Sequence, residues 1–314
     1  MTGFWLCHRK PASPLVLEPF VRYSSPMRRP FFTLAWTAAA SAYVLIILGA
    51  VVRITGSGLG CGEHWPFCNG HLFPPLHDIP TVIEWTHRLV AALVSVLVLA
   101  LAALAWRGAG SLERGARGAA NTALVLLVVQ VLLGAITVKT GLTPVLVILH
   151  LATAMLLLAS LIGAARSPWL LAPGSQLLLA LTFITVLFGA FTANLGAAAA
   201  CGGFPLCNGQ LIPHAGPLAA IHWTHRLLAY SLLGYVIWWA SRQPEGRVLG
   251  LLALVILQLV IAATMVLLGF PGGLQAAHAA VGAGVWAAVV SAALRPAGDP
   301  AAAAAASPLD PSRS

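Results

Sequence analysis

Two short stretches set an imidazole and a guanidinium inside apolar sequence, "IEWTHRLVAAL" from Ile83 and "IHWTHRLLAYS" from Ile221. With His150 and His278 they make four histidines that lie in apolar runs. Each follows a helix-starting proline at a similar interval: His87 seven residues after Pro80, His150 six after Pro144, His225 eight after Pro217 and His278 seven after Pro271. At about 1.5 Å per helical residue, all four lie roughly 9–12 Å below the outer helix ends. Ionisable groups at such depth are costly and face a bundle interior or a cavity. A lone histidine there is ordinarily a hydrogen-bonded contact between helices. Four at matched depth, two in each half of the chain, suit axial ligation of haem iron, because facing helices can present a pair of imidazole nitrogens.

The neighbouring residues extend this reading. Arg88 and Arg226 each follow a histidine, and guanidinium matches the carboxylate of a haem propionate. A plainer use of Arg88 is an i,i+4 pair with Glu84. Arg226 has no such partner, since His222 stands four residues before it, so its acidic partner is expected from a ligand. Glu84 is the only acidic residue inside any expected span and lies three residues before His87. If Arg88 leaves it free, its carboxylate can accept a proton or stabilise positive charge during oxidation of a bound ligand. One half is therefore equipped for chemistry and the other for holding a cofactor. His222 competes with His225 as a ligand, with helical spacing favouring His225. His64, His71, His77 and His214 read as loop residues, with His64 and His71 candidates for a haem or metal entry role, and His8 as a residue of the N-terminal extension.

Four of the five cysteines pair by spacing, Cys61 with Cys68 and Cys201 with Cys207, in segments expected outside the membrane. Disulfides persist there, and each pair is either structural or a redox-active dithiol. A zinc site would find only two sulfurs close together in sequence. Cys7 is alone.

The elements that position these groups follow from composition. Of 314 residues 59% are hydrophobic and only 8% charged, against about 25% charged in a soluble domain. The net charge of +9 falls in short segments between apolar runs, which reads as membrane topology and not as a nucleic-acid surface. Eight runs approach the length needed to cross a bilayer, near residues 32–52, 81–106, 119–139, 145–166, 176–196, 217–240, 248–270 and 275–294. Arg9, Lys10, Arg22, Arg28, Arg29, Arg107, Arg114, Arg117, Arg166, Arg242, Arg247, Arg295 and Arg313 fall on one side, against little more than Arg53 and Lys139 on the other. The positive-inside rule then places both termini in the cytoplasm of a cell-membrane protein. Residues 1–26 do not read as a signal peptide, because Pro11, Pro14 and Glu18 break the apolar stretch, and "MRRPFF" from Met27 is a natural alternative start. The C-terminal stretch 296–314 is low in complexity and expected to be disordered.

An internal repeat organises the whole. "CGEHWPFCNGHLFPP" at 61–75 matches "CGGFPLCNGQLIPH" at 201–214, and a WTHRL segment follows each. "LLVVQVLLGAITV" at 126–138 parallels "LVILQLVIAATMV" at 254–266, with Gln130 and Gln258 in register, each twenty residues before a histidine. The expected fold is an all-α integral membrane protein of eight transmembrane helices, arranged as two tandem four-helix bundles. A pseudo-two-fold along the membrane normal relates them, since an even number of spans per unit preserves orientation. The expected division is an extension at 1–30, an N-terminal half at 31–168, a C-terminal half at 169–295 and a tail at 296–314.

Eight spans in two repeats, with "RITGSGLGCGEHWPFCNG", "EWTHR", a span-four histidine, "HWTHR" and a span-eight histidine, resemble the haem A synthase family over about residues 30–295. The resemblance implies an enzyme that oxidises the C8 methyl of haem O to a formyl group through hydroxylated intermediates, giving haem A for cytochrome oxidase, with water as the oxygen source. It implies that Glu84, His87 and His150 line the substrate haem site, with Glu84 catalytic. It implies that His225 and His278 ligate a bound haem B, and that Cys61–Cys68, and with it Cys201–Cys207, form disulfides, the first of them a candidate for redox activity. Haem O synthase and the oxidase assembly machinery are the implied partners, besides membrane lipids; no nucleic acid is expected, and a homo-oligomer is allowed. Two other readings compete. A bis-histidine diheme electron carrier explains the histidines but leaves Glu84 unused, and a membrane thiol–disulfide oxidoreductase explains the cysteines but not the buried histidines. A transporter has only the repeat in its favour.

Overall fold

The computed structural model describes residues 27–74, 77–167, 169–214, 216–242 and 246–296. Cys7, His8 and the rest of residues 1–26, and all but Pro296 of the C-terminal stretch, lie outside them. Eight helices follow in order: α1 (Arg28–Ile54), α2 (Ile79–Arg107), α3 (Arg114–Lys139), α4 (Pro144–Arg166), α5 (Ser175–Asn194), α6 (Pro217–Arg242), α7 (Gly246–Leu267) and α8 (Gly272–Ala293). Prolines open α2, α4 and α6 within their first two positions, where the missing N–H costs nothing. Asp78 caps α2, its side chain accepting from the Thr81 amide at 3.0 Å. The helices run past the expected spans at their polar ends. α5 and α7 stop a little short, where Gly196 and Gly269 turn the backbone through positive φ.

Among the described residues, seven helices are long and apolar enough to cross a membrane. α6 is not among them, although eight crossings were expected. At 26 residues its length suffices, but His222, His225, Arg226, Tyr230 and Tyr235 dilute its apolar run. The chain is a multi-pass membrane protein on the other seven.

α1 packs against α2 and α4, and α3 against the same two; α5 and α7 likewise each pack against α6 and α8. α4 meets α5, and α8 reaches back to α1 and α4. Small residues let these helices approach, as in Ala35, Ala38, Ala39 and Ala42 of α1 and Ala116, Ala120 and Ala123 of α3, all buried. α8 is pinned across the junction by Trp286, whose indole N–H donates to the Met155 carbonyl at 2.8 Å, and by the Tyr43 hydroxyl on the Ala280 carbonyl at 3.0 Å. One feature departs from the all-helical expectation. β1 (Trp169–Leu171) pairs antiparallel with β2 (Leu294–Pro296), joining the α4–α5 connection to the end of α8. The two segments are far apart in sequence and carry no strand pattern of their own, so their pairing follows from where α4 and α8 end.

Candidate functional site

The four apolar-run histidines stand on α2, α4, α6 and α8. Three of them lean on a glycine of the preceding helix, where a Cβ would stand 3.3 Å (Gly49 to His87), 3.1 Å (Gly134 to His150) and 2.9 Å (Gly189 to His225) from the ring Cε1. Only a residue without a side chain lets backbone and imidazole come this close. Gly49 and Gly189 precede their loop cysteines by the same interval, so the repeat extends to this contact.

In the C-terminal half, His225 and His278 face each other across α6 and α8 with ring centres 6.4 Å apart and planes at 87°. His225 Nδ1 donates to the Thr185 carbonyl at 3.1 Å, which leaves its Nε2 lone pair free. That backbone anchor on one nitrogen is the usual way a metal-binding imidazole is oriented. Two metal–nitrogen bonds of about 2 Å each, plus the depth of two half-rings, span a separation of this size. The residues therefore fit a haem held between His225 and His278. His222, unlike His225, meets protein partners at both ring nitrogens. Its Nδ1 contacts the Ala197 carbonyl at 3.2 Å and its Nε2 accepts from Arg226 Nε at 3.3 Å, so both ring nitrogens are in use.

The N-terminal half presents His87 from α2 and His150 from α4. Nδ1 of each is buried with no partner among the described residues. His150 Nε2 meets the Gln130 amide nitrogen at 3.1 Å. In the second half Gln258 meets His278 Nδ1 at 3.0 Å. In the sequence both glutamines mark only the repeat; in the fold each lies against its histidine. The twenty-residue interval, the same in both halves, was the signal.

Glu84 is 3% exposed and fully engaged. One carboxylate oxygen pairs with Arg88 through Nη2 and, at 3.1 Å, through Nε; the other accepts the Cys61 amide at 2.8 Å. Of the two uses open to Glu84, the i,i+4 pair is thus formed. Arg88 also donates from Nη1 to the carbonyls of His64 and Phe67, both at 2.7 Å. Arg226 does the same in the other half, reaching Gly203 at 2.9 Å and Leu206 at 2.8 Å from Nη1, and Cys201 at 2.7 Å from Nη2. His64 and Gly203 hold equivalent places before the second cysteine of each loop, as do Phe67 and Leu206. Each arginine is thus a clamp on a cysteine loop, and the partner expected for Arg226 from a ligand is supplied here by backbone carbonyls. Both cysteine pairs, Cys61–Cys68 and Cys201–Cys207, are disulfides. Behind each, an asparagine in the left-handed region (Asn69, φ 51°; Asn208, φ 52°) turns the chain and donates to the carbonyl of Gly60 or Ala200. With the cysteines oxidised, their sulfurs are not metal ligands. His64, His71, His77 and His214 lie in the loops.

Residues 32–290 match the COX15-CtaA family, described as cytochrome oxidase assembly protein. The chain belongs to this family. Among its relatives is the heme A synthase of Alkalihalophilus pseudofirmus, 34% identical over 235 residues, or 68% of this chain and 78% of that protein. The heme A synthases of Shouchella clausii (34% over 238 residues, 69% and 79%) and Halalkalibacterium halodurans (33% over 223 residues, 65% and 74%) are similar to it at the same level. The matched span of this COX15-CtaA member contains Glu84, the four apolar-run histidines and both cysteine pairs.

Proposed function

We propose that the chain is a haem A synthase, an oxidoreductase that converts the C8 methyl of haem O to a formyl group. The observation that carries this reading is the family match over 32–290 together with relatives named heme A synthase. In the N-terminal half, His87 and His150 bind the substrate haem, and the loop closed by Cys61–Cys68 covers it. With water as the oxygen source, methyl oxidation releases electrons and protons in equal number, and the electrons must pass to an external acceptor that the chain itself does not supply. Glu84, fixed in place by Arg88 and the Cys61 amide, is the acidic group that would offset positive charge in that half. The second half has a neutral imidazole, His222, at the corresponding place, which suits cofactor binding better than chemistry.

His225 and His278 would hold haem B. Held there, haem B supplies single-electron transfer. His225 is oriented for this by Thr185, while Arg226 closes the Cys201–Cys207 loop over the same end of the helices. We further infer that α6 crosses the membrane with the other seven helices, giving two four-helix units related by a pseudo-two-fold along the membrane normal. Both termini then lie in the cytoplasm by the positive-inside rule. A haem O synthase supplies the substrate and cytochrome oxidase receives the product.

The test is pigment extraction and mass analysis of the purified protein after co-expression with a haem O source. Haem A or a hydroxylated haem O beside haem B is expected. Glu84→Gln is expected to retain both haems and lose conversion. Haem B alone, with haem O supplied and unaltered, would overturn the synthase reading.

A further inference from the structure

We infer that Gln130 is an exchange partner for His150, competing with iron for the imidazole so that haem in the N-terminal half can leave. The inference rests on that half being the substrate site. An amide nitrogen can only donate, so at 3.1 Å from Gln130 Nε2 the His150 Nε2 must offer its lone pair. Iron takes an imidazole through the same lone pair. Coordination through Nε2 therefore breaks the Gln130 contact, and release of haem restores it. Nothing on the far side of the ring opposes this exchange, since His150 Nδ1 is buried without a partner among the described residues.

The corresponding glutamine in the other half is placed differently. Gln258 Nε2 lies 3.0 Å from His278 Nδ1 and 3.0 Å from the carbonyl of the same residue, with Nε2 of the ring further off at 3.5 Å. Gly282, one turn after His278, makes room for this placement: a Cβ there would stand 3.1 Å from Gln258 Nε2. One turn after His150 the residue is Ala154. Gln258 thus grips the back of the ring and the backbone behind it, and the ring proton sits on Nε2 until a metal takes that nitrogen. When iron is bound there the ring proton sits on Nδ1, where the Gln258 carboxamide, with a buried and unpartnered Oε1, can turn to accept it. A single residue pair used in two registers separates a site that must release its haem from one that must keep it.

The full-length protein, loaded with haem O and purified in detergent, is mixed with excess apomyoglobin, and the haem lost is identified by chromatography. Gln130→Met, which keeps the length of the side chain but not its donor, is expected to release haem O about fivefold more slowly, the factor one net hydrogen bond is worth. Gln130→Ala should change in the same direction, and haem B retained by either variant reports that the fold is intact. Gln258→Met is expected not to slow the release of haem B. A Gln130→Met rate equal to or above that of the native protein overturns the inference, as does equal slowing of haem B release by Gln258→Met. A native protein that takes up no haem O would defeat the synthase reading itself, which keeps the two failures apart.

Discussion

Arg88 and Arg226 make matching contacts to their cysteine loops, yet removing them should not cost the same. Arg88→Met leaves the Glu84 carboxylate, 3% exposed, with only the Cys61 amide to offset its charge. Arg226→Met leaves a neutral imidazole, His222, and three carbonyls that loop motion can return to water. Removing one partner of a buried ion pair costs about 3–5 kcal/mol, whereas losing a neutral hydrogen bond costs about 1 kcal/mol. Taking the lower bound, closure of the first loop weakens by about 3 kcal/mol, a rise of roughly a hundredfold in its open population. Glu84→Gln on top of Arg88→Met removes the stranded charge while keeping an acceptor for Cys61, so the double variant should recover most of that loss. The assay is the initial rate of disulfide reduction by a membrane-impermeant phosphine on oriented membranes, read by mass spectrometry of each cysteine pair. Cys201–Cys207 in the same molecule serves as the reference and should keep its rate. Equal acceleration by Arg88→Met and Arg226→Met, or a double variant as fast as Arg88→Met alone, would refute the reasoning, because the cycle isolates the coupling between the two charges.

Two further outcomes follow from the histidine contacts. A methyl group at Gly189 would meet His225 Cε1 at 2.9 Å and one at Gly49 would meet His87 Cε1 at 3.3 Å, so Gly189→Ala should lower haem content more than Gly49→Ala. Overpacking of this kind costs about 1–3 kcal/mol, and pigment per chain after purification measures the order. His225→Leu should abolish haem B retention, while His222→Leu should keep its absorbance spectrum and instead speed reduction of Cys201–Cys207. A His222→Leu protein without haem B would contradict the assignment of both its ring nitrogens to protein partners.

Most of the helical framework was legible along the chain, because burial in lipid demands apolar runs of fixed length and the turns between them break those runs with Pro and Gly. The repeat, the depth of the histidines and the pairing of the cysteines are properties of order and spacing, which sequence carries directly. The i,i+4 pair of Glu84 and Arg88 was also within reach, since helix geometry alone sets it. What Arg88 and Arg226 do with their remaining donors was not legible. A guanidinium satisfies carboxylates and carbonyls alike, and backbone carbonyls have no identity in a sequence. Only the folded loops show that His64, Phe67, Gly203 and Leu206 turn their oxygens toward the helices. The same holds for Gln130 and Gln258, aligned in sequence but bonded to different atoms of their histidines. That difference goes with the residue one turn after the histidine, Gly282 beside Gln258 in one half and Ala154 in the other. Which polar atoms share a cavity is decided where helices cross, and the crossing is a property of the packed structure alone.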